Sequence, residues 1–181
     1  MRIIAGQWRR RLLATAAGAD TRPTADRARE TLFSMLTSRL GSFEGLNVLD
    51  LFAGSGALAL EALSRGATQA FLAERDSAAR RAIEANIRTL AANARLVAAD
   101  ATALPAAGPG AACHLLFLDP PYGSGQWAAA LAGAMQRGWV APAAIAAIET
   151  AHDENPVAVG WELMAKRDVG KARLTLLRHP S

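Results

Sequence analysis

Cys113 is the only cysteine in 181 residues, so no internal disulfide can form. The histidines His114, His152 and His179 are scattered and make no ligand set with it, so no metal is expected. Cys113 and His114 open an apolar stretch, which points to packing. No run approaches the ~20 apolar residues that span a bilayer. The Arg-rich start lacks the apolar centre of a signal peptide, so a cytoplasmic protein without a membrane partner is expected. There is no internal repeat. The chain is 51% hydrophobic, which suits one globular core and leaves no room for two full domains; a monomer is expected.

Charge is present but unevenly placed. Residues 1–30 hold seven arginines (Arg2, Arg9, Arg10, Arg11, Arg22, Arg27, Arg29) against Asp20, Asp26 and Glu30, so they carry the whole net charge of +4. The remainder balances. A basic arm on a neutral body is the footprint of a nucleic-acid contact, because Lys and Arg supply most affinity for phosphate backbones. A solvated basic tail is the other reading. Ile3, Ile4, Trp8, Leu12 and Leu13 interleave with the arginines, which favours an arm that folds.

From Leu46 onward, short apolar runs alternate with helical stretches, the rhythm of a parallel sheet with crossover helices. Strands are expected at 47–52, 70–74, 94–98, 115–119 and 145–149, and helices at 56–65, 77–92 and 126–137. Asp76 or Ser77 caps the second of these helices. The tail from Trp161 to Arg178, broken at Val169-Gly170-Lys171, reads as an antiparallel hairpin on a sheet edge. Residues 2–13 suggest a small hairpin turning at Gly6, followed by a helix from Thr24 to Leu40. The expected division is thus 1–23, hairpin and connection, and 24–181, the body.

Two loops carry the chemistry. Asp119-Pro120-Pro121-Tyr122 ends an apolar strand and presents acceptors with almost no donors, since neither proline has an N–H. That suits an amino group on a planar ring and would repel a phosphate. Alone, the pair of prolines can also be a stiff turn. The second loop, Gly54-Ser55-Gly56-Ala57-Leu58-Ala59, follows the strand carrying Asp50 and Phe52 and fits G-x-G-x-x-G/A, a pattern shared with dinucleotide sites. Asp50 opposes a pyrophosphate there: a charge of the wrong sign at about 4 Å costs on the order of 4 kcal/mol at an effective dielectric of 20. The same charge attracts the ammonium and sulfonium of S-adenosylmethionine. Glu74 can accept from both ribose hydroxyls. Asp100 can meet the adenine amine or cap a helix over 101–104.

The chain resembles the class I, S-adenosylmethionine-dependent family that methylates guanine N2 in 16S ribosomal RNA. Met1-Arg-Ile-Ile-Ala-Gly6, Arg22-Pro-Thr24, Asp26-Arg27, Arg29-Glu-Thr-Leu-Phe33, Asp50 to Leu60, Glu61-Ala-Leu-Ser-Arg65 and Asp119 to Tyr122 carry the resemblance. The glycine loop and Asp119 to Tyr122 are common to many amino-methyltransferases, whereas Arg22-Pro-Thr24 and the N-terminal segment mark the family. It implies an α/β, Rossmann-like, seven-stranded sheet in the order 3-2-1-4-5-7-6 with an N-terminal hairpin. It also implies guanine 966 as target and an assembled or assembling small subunit as partner. The chain departs from the family at Gln7, more often Lys, at Arg10, more often Gly, and at Ser34, often Asn.

On this reading the Asp119 side chain and the Pro120 carbonyl accept the two amino hydrogens, with Pro121 stiffening the loop. Tyr122 stacks on an everted base, or else is a core aromatic. Asp50, Phe52, Gly54, Gly56, Glu74, Asp100 and Thr24 hold the cofactor. Arg9, Arg10, Arg11, Arg22, Arg27 and Arg29 meet RNA, with pairing to a carboxylate of the body the alternative for Arg29. A DNA adenine or a glutamine side chain offers an amine that fits the same acceptors, but their usual recognition domains have no room here. An oxidoreductase is disfavoured by Asp50, and a non-catalytic RNA-binding module has no use for the Asp119 loop.

Overall fold

The computed structural model describes residues 1–16 and 23–180, with Pro23 and Thr24 described by their backbone alone. Arg22 and the Thr24 side chain therefore lie outside the described residues. The elements run α1 (Pro23–Leu40), β1 (Asn47–Asp50), α2 (Ala57–Ser64), β2 (Gln69–Ala73), α3 (Ser77–Leu90), β3 (Ala94–Val97), β4 (Cys113–Leu118), α4 (Gln126–Gln136), β5 (Val140–Ala151), β6 (Glu162–Val169) and β7 (Ala172–Arg178).

The seven strands form one sheet in the order β3-β2-β1-β4-β5-β7-β6. The first five are parallel, and β7 pairs antiparallel with both β5 and β6. Because the strand period is two, Leu115 and Phe117 face one side while Leu116 and Leu118 face the other. Leu32, Phe33 and Leu36 of α1, Leu60 of α2 and Ile83 of α3 pack on the first side. Leu131 and Ala134 of α4, with Leu104 and Trp139, pack on the second. Burial on both faces explains why Val48-Leu49 of β1 and Leu115-Leu116-Phe117-Leu118 of β4 read as unbroken apolar runs. Asp76 caps α3 by accepting from the Ala79 N–H at 2.8 Å.

Three local readings are refined. Residues 2–13 reverse as a minimal hairpin: one antiparallel bridge joins Arg2 to Leu12, with Ile3 N donating to the Arg11 carbonyl at 2.9 Å and Leu13 N to the Met1 carbonyl at 3.0 Å, around a broad turn over residues 6–10. Residues 101–104 form a turn, not a helix. β5 starts at Val140, five residues early, because pairing with β4 resumes through an irregularity where Pro142 lacks a donor and Ala143 takes φ +56°.

The arm docks on the C-terminal end of α2. The Glu61 carboxylate, wholly buried, accepts from Ile4 N at 2.7 Å, Ala5 N at 3.0 Å and Arg65 Nε at 2.8 Å. Ser64 Oγ accepts from Trp8 N at 3.0 Å and donates to the Ala5 carbonyl at 2.6 Å. Gly6 is required by closeness, since a Cβ there would lie 1.8 Å from the Ser64 carbonyl oxygen. Asn86 of α3 accepts from Ala14 N and donates to the Ala14 and Ser55 carbonyls, tying the arm to the glycine loop. Among the described residues no helix is long and apolar enough to cross a membrane.

Candidate active site

Sheet order reverses between β1 and β4, and at such a switch point the loops after the two strands diverge and leave a crevice at their carboxyl ends. Two lobes of about 220 and 280 Å3 occupy it, and Phe52, Gly54 and Asp119 line both. Glu74, Asp100 and Pro121 line the first lobe. Arg29, Ser55 and Glu149 line the second.

Asp50 ends β1 and is 1% exposed. Its Oδ2 accepts from Ala59 N at 3.3 Å, while Oδ1 has no hydrogen-bond partner among the described residues. Burial pushes the carboxyl up to about 7, only partly offset by the Ala59 and Phe52 backbone N–H groups. A buried acceptor with an unused lone pair calls for a cationic or donor ligand. Gly54 adopts φ +55° and a Cβ there would enter open space, so the backbone is exposed to whatever fills the cleft. Gly56, at φ +80°, serves packing instead, because a Cβ would meet Leu72 Cδ2 at 2.7 Å.

Glu74 stands just beyond β2 and shapes the glycine loop: Oε2 accepts from Gly54 N at 2.9 Å and Oε1 from Asp76 N at 2.8 Å. Each oxygen retains a second lone pair toward the lobe. Asp100 bonds Thr102 through N and Oγ1, at 2.9 and 2.7 Å, and pairs with Arg75 at 2.8 Å. These partners, Thr102 foremost, hold its carboxyl down at about 2. It thus ties a turn at the rim of the lobe.

Asp119 follows β4, with Pro120 buried behind it and Pro121 exposed. Its carboxyl opens to the cleft, where solvent moderates the effect, but the protein around it still pushes it well up. Lost hydration is the main cause, followed by Glu149 and Asp50. Tyr122 is 52% exposed, so it is not a core aromatic, and its hydroxyl donates to Glu149 Oε1 at 2.8 Å. Burial and the adjoining Glu149 push that hydroxyl up as well. Glu149 was absent from the residues singled out in the sequence. The available signal is that it closes the apolar run Ile145-Ala146-Ala147-Ile148, as Asp50 and Glu74 close theirs.

Arg9, Arg10, Arg11 and Arg27 are exposed, and Arg9, Arg10 and Arg27 line one groove between the arm and α1. Arg10 holds φ +69°, which costs a residue with a Cβ about 1 to 2 kcal/mol and fits the glycine more usual there. Arg29 is corrected: it is 5% exposed, pairs with Asp26 at 3.0 Å and donates to the Arg2 carbonyl at 2.7 Å. Its place on the inner face of α1 sets it apart from the exposed arginines of the groove and puts it on the wall of the second lobe, with Asp119 and Glu149. Among the described residues no three His, Cys, Asp or Glu side chains gather as a metal group.

A family model described as "Conserved hypothetical protein 95" matches residues 1–178. Ribosomal RNA small subunit methyltransferase D of Escherichia coli K12 is 37% identical over 178 residues, 97% of this chain and 88% of that protein. The protein of the same name from Haemophilus influenzae is 33% identical over 177 residues, covering 94% of this chain and 89% of its own length. Among solved structures, the putative methyltransferase yhhF from Escherichia coli superposes with a TM-score of 0.84 at 36% identity, covering 100% of this chain and 98% of the other.

Proposed function

The chain belongs to the family of ribosomal RNA small subunit methyltransferase D, and on that premise we propose that it methylates the exocyclic N2 of a guanine, guanine 966, in 16S ribosomal RNA with S-adenosylmethionine as donor. The observation that carries the reading is the donor-poor Asp119-Pro120-Pro121-Tyr122 turn opening onto the crevice beside Gly54.

The cleft fits the cofactor. Asp50 Oδ1 offers a buried, unused acceptor, Gly54 leaves room against the backbone, and Glu74 and Asp100 present acceptors for hydroxyls and an amine. These residues with Phe52 would hold S-adenosylmethionine, whose sulfonium supplies an electrophilic methyl group. Gly56 supports them from below, and Thr24 is assigned by resemblance to the same task.

The guanine amine is a weak nucleophile because its lone pair is delocalised into the ring. The Asp119 carboxylate and the Pro120 carbonyl each accept one amino hydrogen and draw the nitrogen toward a tetrahedral form. Orientation of this kind supplies up to ~7 to 11 kcal/mol in well-aligned reactions. Asp119, its carboxyl raised by its surroundings, then takes the proton that the methylated nitrogen sheds. Tyr122 stacks on the everted base, a contact worth ~1 to 3 kcal/mol. Arg9, Arg10, Arg11 and Arg27 face the phosphates, and Arg22 is assigned with them by resemblance. The substrate is the assembled or assembling small subunit, and the enzyme acts as a monomer in the cytoplasm. Transfer of labelled methyl groups, offered side by side to small-subunit RNA, DNA and protein, tests the reading: label should enter RNA alone, and label in DNA adenine or protein glutamine would overturn it.

A further inference from the structure

Glu149 lines the lobe that holds Asp119, yet the transfer step gives it no task. Its position is fixed by the sheet. Leu118 of β4 pairs with Ile148 of β5, so Asp119, just past the end of β4, and Glu149, still within β5, follow in matching places where the parallel pairing of the two strands ends. Adjacent strands lie about 4.8 Å apart, which sets the two carboxyls side by side. The Tyr122 hydroxyl holds Oε1 at 2.8 Å, and no donor among the described residues reaches Oε2. Burial raises the affinity of both carboxyls for protons, the nearby Glu149 raises that of Asp119 further, and the Tyr122 hydroxyl partly offsets the rise at Glu149.

We propose that Glu149 selects the base: oriented by Tyr122, it accepts the N1–H of the target guanine while Asp119 holds the neighbouring N2 amine. Guanine carries two adjacent donors on that edge. Adenine and cytosine place a ring-nitrogen lone pair next to their amine, and Glu149 repels it. Two carboxylates in register therefore match guanine and reject the other amine-bearing bases. A site built around a substrate N–H discriminates strongly against an analogue that lacks it, because the site's own polar group is left unpaired.

The inference rests on guanine N2 as the target, and the test separates the two. Small subunits are reconstituted with 16S RNA carrying either guanine or 2-aminopurine at the target position. The analogue keeps the 2-amino group but has a lone pair at N1. Wild-type kcat/KM should favour guanine on the order of 10²-fold or more. In Glu149→Gln, whose amide can donate to N1, that ratio should fall at least about tenfold, with guanine methylated more slowly and 2-aminopurine faster. A residue that only supports the fold would slow both substrates alike and leave the ratio unchanged. Equal methylation of the two substrates by the wild type overturns the inference without needing the variant, and so does an unchanged ratio in the variant. A wild type that leaves guanine unmodified and labels another base overturns the guanine reading itself.

Discussion

Asp50 is held at a cost that makes sense only with a ligand. Burial keeps its proton on up to about pH 7, against an ordinary carboxylate near 4. The unfolded chain releases that proton as pH rises through the ordinary range, while the folded chain holds it until about 7. Stability therefore falls across that window, by up to about 4 kcal/mol once both states are ionised. Asp50→Asn removes the penalty. It should raise the unfolding midpoint at pH 8 and hardly at pH 4, and it should weaken S-adenosylmethionine binding at pH 8; calorimetry reads both. A variant with wild-type affinity and no gain in stability would remove Asp50 from the cofactor site. Strand-end acids were legible in the sequence because an isolated charge closing an apolar run has few structural uses. Glu149 shares that signature but lies in an Ala-rich run with no motif beside it. Arg29 shows the opposite difficulty, for its spacing from Asp26 suits an ion pair and an RNA contact equally, and only the orientation of α1 shows that it is buried beside the cleft.

At the scale of elements, the basic arm is an attachment whose seat is built into α2. Glu61 and Ser64 bind backbone groups of residues 4, 5 and 8, and Gly6 passes against the Ser64 carbonyl with no space for a methyl group. Gly6→Ala should lift the arm from its seat while leaving the cleft intact. Hydrogen exchange at amides 3–13 should speed up, RNA affinity should fall, and S-adenosylmethionine affinity should hold. Unchanged exchange would show that the contact yields. The order of elements and the sheet were legible because alternation of apolar runs and amphipathic helices is a property of the whole segment. The turn at 6–10 was not, since its shape is set by atoms of α2 nearly 60 residues away. The turn at 101–104 stops short of a helix for a local reason: Asp100 caps it through the Thr102 N–H, but Pro105 disfavours helical backbone at Leu104.

Across the whole molecule, an acidic cleft faces a substrate that is itself polyanionic, and the basic arm offsets that opposition. Replacing Arg9, Arg10 and Arg11 together by Ala should weaken RNA association and flatten its salt dependence by about one log-log unit for each phosphate no longer neutralised. Cofactor affinity should not change. A wild-type salt slope in the triple variant would reduce the arm to a solvated tail and move recognition to α1 or the β6–β7 hairpin. Charge asymmetry of this kind is visible in sequence, whereas which arginines face outward depends on how the arm is seated. If the Asp119 turn directs a methyl group onto guanine N2, nucleoside analysis of small-subunit RNA after single turnover shows it. The wild type should yield N2-methylguanosine, and Asp119→Ala should yield it on the order of 10² to 10³ times more slowly at unchanged S-adenosylmethionine affinity. A methyl group on another base, or near-normal turnover in the variant, would contradict the account.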